Sequence, residues 1–75
     1  MDLLGGSGSM SATVVALRPF LLHATPMVDV ALRLPDGTTE AHRLGAESVD
    51  DGIAEGDEVT VERMMSMVVG VRRAP

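Results

Sequence analysis

The stretch Met27-Val28-Asp29-Val30-Ala31-Leu32-Arg33-Leu34-Pro35-Asp36-Gly37-Thr38 decides how this chain folds. Val28, Val30, Leu32 and Leu34 alternate with Asp29, Ala31 and Arg33, the period of two that sets apolar side chains on one face of a strand and the others on the opposite face. Pro35-Asp36-Gly37 ends the strand: Pro presets φ for the second position of a type I turn, Asp tolerates the third, and Gly accepts the left-handed conformation after it. The chain then returns through Thr38-Thr39-Glu40-Ala41-His42-Arg43-Leu44 as a hairpin. Two registers compete, one residue apart, and the choice decides which face of the returning strand meets the core. A four-residue loop pairing Leu34 with Thr39 is expected, since it sets Leu32 opposite Ala41 inside and Arg33 opposite Glu40 outside. The three-residue alternative would place Glu40 and His42 beside Leu32 and Val30, where polar groups are costly without partners.

Outward from this hairpin, Ser11–Leu22 is rich in β-branched and large apolar residues, and Pro19 would break a helix, so a strand bent or bulged at Arg18-Pro19 is predicted. His23-Ala24-Thr25-Pro26 is the following turn. Residues 45–58 carry six of the eleven acids, with Val49 and Ile53 four apart, as in a short helical or 3₁₀ turn that tucks two apolar side chains under the sheet. Gly56-Asp57 closes that loop. Val59, Val61, Val69 and Val71 then resume strand character, with a turn or bulge near Met64–Met67. Five short strands, one short helical turn in the 45–58 loop and Gly/Pro-marked turns predict an all-β fold, a small five-stranded barrel of the OB-like or SH3-like kind.

The whole chain has 75 residues, six arginines, no lysine, no cysteine and a formal net charge of −5. That is room for one small domain with a marginal core and no deep substrate cleft of its own. Residues 1–10, with their Gly/Ser run, read as a flexible lead-in, native or added, ahead of a single domain spanning 11–73. No basic leader precedes an apolar run and no segment approaches the roughly 18 apolar residues of a membrane span, so a cytoplasmic protein without membrane insertion is expected. Net acidity and a single aromatic, Phe20, weigh against nucleic acid as partner.

The order of signals resembles TOBE-type domains, the small OB-like barrels attached to ABC-transporter ATPases and related to Mop-type molybdate-binding proteins. The matching residues are Val30, Leu32, Leu34, Pro35, Asp36 and Gly37, then Gly56, Asp57, Val59 and Val61, across roughly residues 12–72. S1-type RNA-binding OB domains share both pieces. The resemblance implies an OB-like architecture and, for its oxyanion-binding members, a small-anion site to which Ser48 is the one residue carried over. This chain departs from those members in having no lysine, and Glu47, Asp50 and Asp51 around Ser48 would repel an anion.

No nucleophile, base and orienting group stand in a recognisable motif, so no enzyme and no catalytic residue are expected. His23 and His42, even with Asp29 or Glu40, lack the spacing of a metal site, and the acids of 47–58 lack the order of an EF-hand, so neither metal nor cofactor is assigned. Arg63, Arg72 and Arg73 read as solubilising end charges. Met64, Met65 and Met67 with Val68 exceed what a small core can bury, which marks a contact with protein, either another copy or a larger complex. The acidic residues Glu47, Asp50, Asp51 and Glu55 are the second candidate contact. Two further functions follow from the resemblance alone: small-oxyanion binding or a transporter-accessory role, and S1-like RNA binding.

Overall fold

A computed structural model describes residues 7–75. Strands β1 (Ser7–Leu22), β2 (Thr25–Arg33), β3 (Thr39–Gly45), β4 (Glu58–Met64) and β5 (Met67–Arg73), with one 3₁₀ turn at Ala46–Ser48, form an all-β molecule. The strands lie in a single antiparallel sheet in the order β3-β2-β1-β4-β5. This agrees with the predicted all-β class of five strands and one short helical turn.

β1 organises the sheet because it serves two neighbours in succession. Its first half pairs with β4, from Ser7 opposite Met64 to Thr13 opposite Glu58, and its second half pairs with β2, down to Leu22 opposite Thr25. The register slips between Val14 and Ala16, so the irregularity lies at Val15 and not at Arg18-Pro19. An extra residue there sharpens the twist where β1 passes from one partner to the other. Pro19 is accommodated within the strand opposite Val28, beyond the reach of the β4 pairing, where no ladder bond is asked of it from that side.

The strand also begins earlier than expected. Ser7–Met10, assigned by composition to the lead-in, pair in turn with Met64, Arg63, Glu62 and Val61, because ladder bonds use backbone groups that Gly and Ser supply as well as any residue. Residues 1–6 of the predicted lead-in lie outside the described residues. The first hairpin is tighter than predicted: only His23 and Ala24 form its loop, both at positive φ, and Thr25-Pro26 already belong to β2.

The inner face is built almost wholly of small aliphatic residues. Ala12 and Val14 of β1, Val28, Val30 and Leu32 of β2, Val59 and Val61 of β4, and Val68 and Val71 of β5 are buried together with Val49 and Ile53 from the intervening loop. Each such valine or leucine contributes about 1.5–3 kcal/mol on full burial. Val49 also forms an isolated parallel bridge to Val71, and the Asp50 N–H donates to the Val71 carbonyl at 3.0 Å, so the segment after β3 is tied to the far edge of the sheet and the whole curls in a barrel-like way. On β5 the predicted phase changes at a bulge: Val71 faces inward as expected, but Val69 is the extra residue, so Val68 turns in and Val69 out.

The β2–β3 hairpin adopts the three-residue loop, contrary to expectation. Leu34 N–H donates to the Thr38 carbonyl at 2.8 Å, Gly37 N–H donates to the Leu34 carbonyl at 2.9 Å, and Leu32 faces Glu40 while Val30 faces His42. Local turn chemistry outweighs the side-chain pattern. Asp36 Oδ1 accepts from Thr38 N–H at 2.9 Å and from Thr38 Oγ1 at 2.6 Å, and Gly37 takes φ +90°. The polar residues thereby placed inside find partners, as described next.

Candidate functional site

The tip of the β4–β5 hairpin carries the most concentrated apolar surface of the described residues. Met64 pairs with Met67 across a two-residue loop, Met65-Ser66, with Met65 at φ 58°. The hairpin projects past the last inward-facing residues, so the relative exposures are 57% at Met64, 69% at Met65, 67% at Met67 and 39% at Val69. A shallow depression lined by Gly8, Ser9, Glu62, Arg63, Met64 and Val69 adjoins it. The structure brings Met64, Met65 and Met67 together at one tip. Val68, grouped with them from the sequence, is 7% exposed and belongs to the core, and the bulge puts Val69 in its place.

Beneath this tip lies a polar cluster on the inner face. Arg63 Nη2 donates to Glu40 Oε1 at 2.6 Å, His42 Nε2 lies 3.0 Å from the same oxygen, and Arg63 Nε lies 3.4 Å from Met10 Sδ. The hydrogen bonds from His42 and Arg63 hold the Glu40 carboxyl below its ordinary range. His42 is therefore not on the outer face, as the four-residue loop would have placed it; the one-residue slip turns it inward beside Val30. His23 sits in the β1–β2 turn, in a different hairpin. Among the described residues no three His, Cys, Asp or Glu side chains are grouped to hold a metal ion.

The acidic loop is partly consumed by the fold itself. Asp50 accepts from Arg73 N–H at 2.9 Å and from Arg72 Nη1 at 3.1 Å, contacts that hold its carboxyl below the ordinary carboxylate range. Arg72 Nε also meets Glu62 at 3.2 Å, and the hydrogen bonds to Asp50, first, and then to Glu62 raise its pKa. Arg73 donates to the Asp51 carbonyl through Nε and Nη2. Arg72 and Arg73 are thus clips that fasten the loop to β5, not merely solubilising end charges. Asp57 caps the loop by accepting from Ala54 N–H at 2.9 Å, and Glu58 accepts from Thr13 Oγ1 at 3.0 Å. The Glu47, Asp51 and Glu55 side chains stay exposed, and Ser48 closes the 3₁₀ turn, half-buried.

A feature the sequence reading missed lies on the outer face of β1, β2 and β3. Ala16, Ala31 and Ala41 are in register and form a shallow floor, and the next outward row is Arg18, Asp29 and Arg43. Asp29 binds Arg43 at 2.8 and 3.1 Å and Arg18 at 3.3 Å, while Arg43 also lies 4.6 Å over the Phe20 ring. Arg43, then Arg18, lowers the pKa of the Asp29 carboxyl. The signal was present as three alanines and three charges, but it becomes a row only once both registers are known.

Among the described residues no helix is long and apolar enough to cross a membrane. Compared with known proteins, the chain matches no family model, no curated protein and no solved structure at a significant level.

Proposed function

We propose that this chain is a non-enzymatic, barrel-like module that works by binding protein, with the β4–β5 hairpin as its contact surface and another copy of itself as the first partner to test. The observation that carries the reading is the exposure of Met64, Met65, Met67 and Val69 on one tip, apolar area that gains nothing from folding the monomer. Methionine suits such a role because its flexible thioether adapts to a partner's shape. The exposed Glu47, Asp51 and Glu55 form a separate surface that can steer a basic partner, whereas Asp50 is committed to Arg72 and Arg73.

The strand order and the Val49–Val71 bridge support an OB-like barrel, a five-stranded and partly open architecture. The anion-binding and RNA-binding readings have less behind them: Ser48 stands beside Glu47, and Arg63, Arg72 and Arg73 are all engaged by acids or carbonyls of the fold.

Sedimentation over a range of low micromolar concentrations, with and without molybdate, tests the choice. A concentration-dependent oligomer that ignores the anion and disappears when Met64, Met65 and Met67 are changed to Ser supports the contact reading. A strict monomer removes the self-assembly version, and an anion-dependent shift in mass or melting favours the oxyanion alternative.

A further inference from the structure

The same hairpin has a chemical property that contact alone does not require. Three thioethers fall within four residues, all more than half exposed, in a chain that has no cysteine to compete for oxidants. The remaining described methionines, Met10 and Met27, are only partly exposed, and Met10 Sδ accepts from Arg63 Nε at 3.4 Å, which engages one of that sulfur's two lone pairs and covers one side of it. Met65 lies in the two-residue turn itself, outside both strands, and is 69% exposed.

We propose that Met64, Met65 and Met67 form a site of reversible S-oxidation by small hydroperoxides, and that oxidation switches the contact surface off; the switching half rests on the protein-contact reading above. In the step, a thioether sulfur attacks one peroxide oxygen, an S–O bond forms as the O–O bond breaks, and the departing oxygen takes up the proton and leaves as water or alcohol. The sulfur loses two electrons and the peroxide gains them; methionine sulfoxide reductases reverse the change, two thiols giving up two electrons to become a disulfide while the oxygen leaves as water. Each sulfoxide replaces an apolar, adaptable side chain by a strongly polar one, which opposes burial against a partner. The core is untouched, because Val59, Val61, Val68 and Val71 carry the packing of these two strands.

The test treats the full chain with limiting hydrogen peroxide and follows oxygen uptake by peptide mass spectrometry, with sedimentation and thermal melting on the same samples. Met64, Met65 and Met67 should oxidise roughly tenfold faster than Met10 and Met27, with the oligomer lost and the melting temperature falling to that of the diluted, dissociated protein and no further. A variant with all three changed to Leu should keep the oligomer and resist peroxide, and one with Met65→Gln and Met67→Gln should lose the oligomer without it. Equal rates at Met10 and Met27 overturn the site. Hairpin oxidation with the oligomer intact overturns the switch. A protein that is monomeric before treatment removes the self-assembly version and overturns the switch with it, while the order of oxidation still decides the site.

Discussion

Arg63 of β4 reaches over the inner face of the sheet and closes on Glu40 of β3 at 2.6 Å, although β2 and β1 lie between those two strands. The contact joins parts of the chain that no ladder bond connects, and His42 shares the same carboxylate oxygen at 3.0 Å. It is also what makes the three-residue hairpin register tolerable, because that register sends Glu40 inward beside Leu32.

Glu40→Gln and Arg63→Met should each lower the melting temperature, and the double variant should lose less than the sum of the two. A double-mutant cycle by chemical denaturation measures that coupling. Strict additivity would show that the two side chains do not stabilise one another.

Leu32 is fully buried near the C-terminal end of β2, and truncation to Ala should cost about 2–5 kcal/mol. At about 0.05–0.15 kcal/mol per residue, a domain of this size has about 4–11 kcal/mol in total, so Leu32→Ala should lose roughly half of its stability and unfold at a much lower urea concentration. Urea titration followed by far-ultraviolet circular dichroism reads the result.

Gly37 sits at φ +90° in the β2–β3 loop, a conformation that a Cβ penalises, so Gly37→Ala should cost about 1–2 kcal/mol. Gly8, in the first strand, has open space where a Cβ would go and an ordinary backbone, so Gly8→Ala should be neutral or slightly stabilising. Equal effects at the two positions would contradict the observed loop.

Acid should destabilise the fold through carboxylates whose pKa is lowered in the native state. Asp29, held by Arg43 and Arg18, Asp36, held by Thr38, Glu40, held by His42 and Arg63, and Asp50, held by Arg73 and Arg72, all shift downward. Such groups bind protons more readily when unfolded, so their contribution is complete above the unfolded values near 4 and is lost as pH falls through the folded ones. Melting temperature should therefore be flat from pH 7 to about 5 and drop below about 4, and Asp50→Asn should shallow that drop. An acid limb unchanged in Asp50→Asn would show that the clip to Arg72 and Arg73 contributes nothing.

The alternation of Val28, Val30, Leu32 and Leu34 and the turn signals were enough to determine five strands, their order along the chain and most of the core, because backbone period and turn chemistry act over a few residues. Val49 and Ile53 are buried as expected, but the 3₁₀ turn lies before them at Ala46–Ser48 and Val49 is extended against Val71. The crowding of Met64, Met65 and Met67 was likewise legible as surplus apolar surface, since a chain of this length cannot bury them. Tertiary structure decided what depends on registers and bulges. The Asp36–Thr38 bonds moved β3 by one residue and turned Glu40 and His42 inward, the slip on β5 exchanged Val68 for Val69, and curling of the sheet delivered Arg63 to Glu40 and Arg72 to Asp50. In a strand a shift of one position reverses every side chain, and the partners that make one face affordable for a charge lie dozens of residues away, where local pattern carries no information.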